Sequence, residues 1–166
     1  MDNKQNAKFI NINLIVDYFI YKAKQGKQKI TNKKLQKLLY YAQAWYLVFE
    51  HKPLFKNKIE AWVHGPTIKE VYDQFKHYGF NNISKIVDTK NLEKIPNVVK
   101  KILDEVWNVY GKYDGDYLEL LTHNEEPWQE ARGNLESFEP SGNKILLSTM
   151  KKFYSNKLKK TIEKSK

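Results

Sequence analysis

The chain has 166 residues, enough for one domain with a substantial core, and its lack of cysteine excludes disulfides, thiol nucleophiles, iron–sulfur clusters and cysteine-type zinc sites. Apolar residues at 41% and aromatics at 14% exclude a disordered chain. A net charge of +10 points toward an anionic partner, yet only Arg132 among the 29 basic residues is arginine, which disfavours base reading through the bidentate guanidinium fork and leaves most lysines as solvated helix faces.

Residues 1–11 read as a polar N-terminal arm without the apolar core of a signal peptide. Ile12, Ile15, Val16, Phe19, Ile20 and Ala23 keep the i, i+3, i+4, i+7 spacing of one helix face, which predicts a helix over residues 11–24 with Gly26 as its left-handed cap. Thr31 is the clearest helix start in the chain: it can cap the N-terminus, while Ile30 before it and Leu35 at the fourth helical position form a hydrophobic staple. Leu35, Leu38, Leu39, Ala42, Trp45, Tyr46 and Phe49 then share a face. Residues 31–49 are therefore expected to be the central core helix, with Lys33, Lys34 and Lys37 turned to water. The apolar stretch at residues 40–49 is far short of the ~20 residues that span a bilayer, so no membrane partner is expected.

Pro53 forbids continuation, and the alternation of Ile59, Ala61 and Val63 with Glu60, Trp62 and His64 predicts a short strand that Gly65-Pro66 ends. Thr67 and Glu70 stand at capping-box spacing and open a helix through Val71, Tyr72, Phe75 and Tyr78 that stops at Gly79. Residues 83–87 are too few for a helix and are expected to pair with the first strand. Pro96 suits a first turn, and Val98, Val99, Ile102, Leu103, Val106 and Val109 make the next helix face, ending at Gly111. After an Asp114-Gly115 turn, Asp116 can cap a short helix with Leu118, Leu120 and Leu121, and Asn124 can cap another with Pro127 in its first turn and Gly133 at its end. Residues 134–143 read as loop. A last helix from about Ser148 carries Met150, Phe153, Tyr154 and Leu158 before a lysine-rich tail, residues 159–166, expected to fray. The fold class is α+β: a predominantly helical single domain over residues 12–158 with a small antiparallel β element.

The charge is unevenly spread: residues 1–58 carry +9, residues 59–103 +2, residues 104–143 −8 and residues 144–166 +7. The acidic block either lies beside basic helices within the fold or presents a surface to a basic partner. His51, His64, His77 and His123 include no i, i+4 pair for a metal. His123 with Glu125 and Glu126 has the groups for acid/base work, but carboxylates in first helical turns are expected from the helix dipole alone. There is no GxSxG elbow, phosphate loop or dinucleotide fingerprint, so no catalytic residue, metal or cofactor is expected.

Three segments carry a resemblance: Leu35-Gln36-Lys37-Leu38-Leu39-Tyr40-Tyr41-Ala42-Gln43; Pro53-Leu54-Phe55 followed by Ile59-Glu60-Ala61-Trp62-Val63-His64-Gly65-Pro66; and Glu70-Val71-Tyr72 leading to Tyr78-Gly79. With Leu121-Thr122-His123 and Pro127-Trp128 downstream, residues 12–155 resemble the Panacea antitoxin domain, the group of SocA-like antitoxins and phage-associated GepA-like proteins. His64 stands where an aromatic such as Tyr is common in that pattern. The resemblance implies a non-enzymatic cytoplasmic domain that neutralises a toxin encoded by a neighbouring gene through direct binding. SocA-like members also hand the toxin to the ClpXP protease as adaptors. It implies no catalytic residue: Leu35, Leu38 and Leu39 read as packing positions, Gly65 as a turn and Pro66 as a helix entry. The alternative is a nucleic-acid-binding regulator using the lysine-rich start of helix 31–49. That helix is too apolar along most of its length to expose a reading face to the groove.

For the contact with a toxin, the expectation falls on the acidic block. Toxins that attack RNA or nucleotides are expected to have basic active sites, and Asp114, Asp116, Glu119, Glu125 and Glu126 could steer them, with Tyr113, Tyr117 and Trp128 as apolar anchors. The competing reading has these carboxylates capping helices and these aromatics filling the second half of the core.

Overall fold

A computed structural model describes residues 8–166 of the chain, so residues 1–7 of the polar arm lie outside the described residues. Its organising element is the helix opened by Thr31, whose hydroxyl accepts the Lys34 amide at 3.2 Å while Ile30 and Leu35 are both buried as a staple. This helix, α2 (Asn32–Glu50), follows α1 (Ile12–Gln25) and ends where His51 turns left-handed at φ 57°. Then come β1 (Glu60–Trp62), β2 (Gly65–Thr67), α3 (Lys69–Phe75) with a 3-10 turn (Lys76–Tyr78), and the one-turn α4 (Thr89–Leu92). The chain finishes with α5 (Asn97–Tyr110), α6 (Gly115–His123), α7 (Glu126–Arg132) and α8 (Leu147–Lys164). α1, α3, β2, α5, α6 and α8 all pack on α2, and the fold is a mainly helical α+β domain with one small antiparallel sheet. No helix among the described residues is long and apolar enough to cross a membrane.

Because neighbours surround it, α2 is buried well beyond one stripe. Lys34 and Lys37, expected in water, are 4% and 1% exposed, and Asn32, Gln36 and Gln43 are buried with them, whereas Phe49 is 50% exposed. These polar side chains serve backbone groups of the connections that wrap the helix. Gln43 takes the Leu54 amide at 2.7 Å and gives to the Phe55 carbonyl at 2.9 Å. Gln36 accepts the Ile68 amide at 2.8 Å, and Asn32 donates to the Tyr72 carbonyl at 3.1 Å. Lys34 donates to the Gly111 carbonyl at the C-terminus of α5, where the helix dipole favours a cation, and lies over the Trp107 ring. Each such bond adds only about 0.5–1.5 kcal/mol, but leaving one of these buried groups unpaired costs about 1–3 kcal/mol, so the set fixes how the loops seat on α2.

The strand sits where expected, but Gly65-Pro66 does not end the sheet. It forms its second strand, with Glu60 opposite Thr67, Ala61 opposite Pro66 and Trp62 opposite Gly65, and Val63-His64 make the turn. The third segment beside β1 is 143–145, through Ala61 N to Asn143 O and Ile145 N to Ile59 O, both 2.8 Å. Residues 83–87 do not pair there; the Ile83 amide bonds the Ile30 carbonyl at 2.9 Å instead.

Several caps also differ. Gly26 has φ −82°, and Lys27 at φ 52° takes the left-handed turn. Thr67 spends its hydroxyl on the Gly65 carbonyl at 3.1 Å, so α3 starts after Ile68 with no side-chain cap. Asp114 rather than Asp116 caps α6, and Asn124 closes α6 by donating to the Leu120 carbonyl rather than opening α7. The α5 face is rotated: Trp107 and Tyr110 are buried, while Val98 and Val109 are about half exposed. The lysine-rich tail is helical to Lys164, as the exposed end of α8.

Candidate functional site

The residues expected to contact a toxin divide into three groups. Asp114 is committed to the N-terminus of α6, where its carboxylate accepts the Tyr117 amide at 2.8 Å. Asp114→Ala should therefore lower stability by about 1 kcal/mol in a urea melt; a residue that only steers a partner would leave the melt unchanged.

A second group is internal. Glu125 is 6% exposed; it accepts the Tyr41 hydroxyl at 2.7 Å and pairs with Lys157 at 3.3 Å, so it is no surface charge. Glu119 bridges Lys33 of α2 at 2.7 Å and His64 of the hairpin turn at 3.0 Å. Burial alone would raise the Glu119 pKa, but the bonds from Lys33 and His64 outweigh it and hold the carboxyl below its usual range. Trp128 donates to the Trp62 carbonyl at 2.8 Å, stacks on His123 at 4.0 Å and lies under the Arg132 guanidinium, which pins α7 to the hairpin.

The third group faces solvent. Asp116 is exposed while reaching Lys33 at 2.9 Å, Glu126 is exposed, and Tyr117, stacked on half-buried Tyr113 at 4.3 Å, is 43% exposed.

The structure adds a feature that the sequence reading missed: an open cleft of about 740 Å³ between the first half of α2, the hairpin, α3 with its 3-10 turn, and the loop at 140–142. Lys37 lines it from α2 and donates to the Pro66 carbonyl at 3.1 Å. Trp62 and Tyr72 meet edge to face at 4.9 Å on the wall, and Phe80 stands 89% exposed at the mouth. Lys69 and Lys76, also lining the cleft, both bind Asp73, at 2.5 and 3.3 Å. Lys33 and His64 line it too, so through Glu119 and Asp116 the cleft borders the exposed acidic group. The only hint in the sequence was the i, i+4 pair Lys33 and Lys37, which reads as a wet face until α6 and β2 are packed over it.

Burial pushes the Lys37 ammonium down from 10.5 to about 7; Glu119 opposes the shift and Lys33 adds to it. His64 and His123 are the other titratable groups near this cluster, and burial lowers the His123 pKa as well. A lysine whose pKa is depressed on folding binds fewer protons folded than unfolded between pH 7 and 10.5. Stability should therefore rise with pH across that window, and the penalty is fully present below it. Urea midpoints at pH 6 and pH 9 test this: Lys37→Met should gain on the parent at pH 6 and keep a smaller part of that advantage at pH 9. A difference independent of pH would mean that Lys37 stays charged in the fold.

Among the described residues no three metal-capable side chains gather. Glu119 is taken up by Lys33 and His64, and Thr122 donates its hydroxyl to the Glu119 carbonyl at 2.8 Å. The arrangement offers charge, aromatic edges and a recess to a binding partner.

The family model described as "Antitoxin SocA-like, Panacea domain" matches residues 35–129, from α2 into α7. Antitoxin SocA of Caulobacter vibrioides is 33% identical over 75 residues, which make up 45% of this chain and 40% of that protein. The similarity thus spans less than half the length of that relative. No solved structure matches the chain. With the hairpin, its Gly65-Pro66 and the central helix from Leu35 onward inside the matched stretch, the chain belongs to the SocA-like Panacea antitoxin family.

Proposed function

We propose that this protein is an antitoxin that neutralises a toxin protein encoded beside it by direct, non-catalytic binding. The observation that carries the reading is the family match across residues 35–129, which takes in the central helix and most of the elements packed on it. The antitoxin role of the similar Caulobacter protein supports it. A groove-reading regulator is disfavoured, because the lysines that would have made α2 a recognition helix, Lys34 and Lys37, are buried. Delivery of the captured toxin to ClpXP is a second step in this proposal.

Co-expression tests both steps. Growth arrest by the neighbouring gene product should be relieved by this chain, and the two purified proteins should bind each other. If delivery matters, relief should fail in a host lacking ClpX while binding persists. Asp116, Tyr117 and Glu126 are the solvent-facing members of the expected contact set, and Glu126→Lys should slow association most at low salt with the melting temperature unchanged. No relief of toxicity and no binding would refute the antitoxin reading.

A further inference from the structure

We infer that the cleft between α2, the hairpin and α3 is a docking site for an acidic segment of the toxin, whose carboxylate meets Lys37 while an adjoining apolar side chain lies against Trp62, Tyr72 and Phe80. The inference rests on the antitoxin reading and gives it a surface.

The case begins with charge. Lys37 is 1% exposed, and its ammonium, with three protons to donate, bonds only the neutral Pro66 carbonyl. Among the described residues no carboxylate pairs with it, although Lys33, Lys69 and Lys76 around the same cleft all have one. The other deeply buried lysine, Lys34, is accounted for inside the fold by the C-terminus of α5. A buried cation is costly without an anionic partner. Lys37 is buried in the wall of an open recess, so a carboxylate entering it would take the ammonium over from the Pro66 carbonyl, restore its full charge and form a charge-assisted bond.

The surroundings select a peptide carboxylate over a polyanion. Lys69 and Lys76 share Asp73, and the Glu60 carboxylate, paired with Lys58, stands in the wall, so a run of phosphates would meet carboxylates among the lysines, whereas a single carboxylate needs only Lys37. The sole arginine, Arg132, is turned inward onto the carbonyls of Ala61, Glu136 and Glu139. Trp62, Tyr72 and Phe80 instead present apolar rings, and exposed aromatics around a recess are the usual anchors of protein contacts. Phe80, at 89%, is the most exposed large apolar side chain among the described residues.

The experiment uses the full chain and the purified neighbouring gene product, with affinity measured by calorimetry and folding by thermal melts. Lys37→Met keeps the buried stem and removes the ammonium; Phe80→Ala touches a side chain outside the core. Each should weaken binding at least tenfold, with the Phe80→Ala melt unchanged and the Lys37→Met melt at pH 6 no lower than the parent's. Parental affinity in both variants would overturn the cleft while leaving the antitoxin reading intact. Absence of binding by the parent would overturn both. Binding of a single-stranded oligonucleotide that is lost in Lys37→Met, with toxin affinity unchanged, would reassign the cleft to nucleic acid and also overturn the inference.

Discussion

Glu125→Lys should cost about 3–5 kcal/mol or prevent folding outright, as expected when a buried carboxylate that serves a buried hydroxyl is replaced by a cation with no anionic partner. Glu125 precedes α7, and its carboxylate accepts the Tyr41 hydroxyl at 2.7 Å and faces Lys157 at 3.3 Å. Tyr41 stacks on Tyr110 at 3.8 Å; Tyr110 accepts the Trp45 indole N–H at 3.0 Å; Tyr40 and Tyr154 share a hydroxyl bond at 3.1 Å beside them. Burial first, and Glu125 second, push the Tyr41 hydroxyl far above its ordinary pKa, so it stays a proton donor and needs this acceptor. A lysine at 125 would leave that donor unpaired and bury an ammonium that faces the exposed Lys157 in place of a carboxylate. Glu125→Gln keeps an acceptor for Tyr41 and loses only the charge, so its cost should be about 1–2 kcal/mol. Glu126→Lys, one residue on and exposed, should leave the urea midpoint unchanged. Equal melts for the two lysine variants would mean that Glu125 is not buried.

That contrast shows where sequence reasoning reached and where it stopped. Local signals were legible: Thr31 with Ile30 and Leu35, Pro127 just inside α7, and Gly133 at φ 59° after it all act through neighbours in the chain. The helical class and the central place of α2 followed from periodicity and were correct. Lys34, Lys37 and Glu125 were not legible, because a charged side chain reads as solvated unless one knows that Gly111, Pro66 or Tyr41 waits for it 77, 29 or 84 residues away. On α5, counting valines put Val98 and Val109 inward. The larger Trp107 and Tyr110 take the core places instead, because each has a polar or cationic partner on α2, Lys34 over one ring and Trp45 on the other hydroxyl. The surroundings of the residues proposed for the contact were half legible for the same reason: a carboxylate at a helix start is visible in sequence, but whether it caps, bridges or faces solvent depends on what the rest of the fold brings to it.

Gly65→Ala should destabilise the protein by about 3 kcal/mol or more, from two causes that can be measured apart. The residue sits at φ +99°, and an L side chain in left-handed backbone costs roughly 1–2 kcal/mol. A Cβ there would also lie 2.5 Å from the Lys37 Cε and 3.0 Å from the Thr122 hydroxyl, and overpacking of a closed site adds about 1–3 kcal/mol. The Gly65-Pro66 pair thus does more than turn the chain. Glycine lets β2 close over the lysine, and Pro66, whose missing N–H faces no partner demand, supplies the carbonyl that holds the ammonium. Truncating the lysine should remove the clash but not the backbone cost. The Gly65→Ala and Lys37→Ala pair should therefore show positive coupling: the double variant is more stable than the sum of the single losses predicts, yet remains below Lys37→Ala alone. Strict additivity would mean that the hairpin shifts to admit the methyl group and that the close packing of Gly65 on Lys37 does not shape the cleft. Full rescue would mean that the left-handed conformation at residue 65 costs nothing.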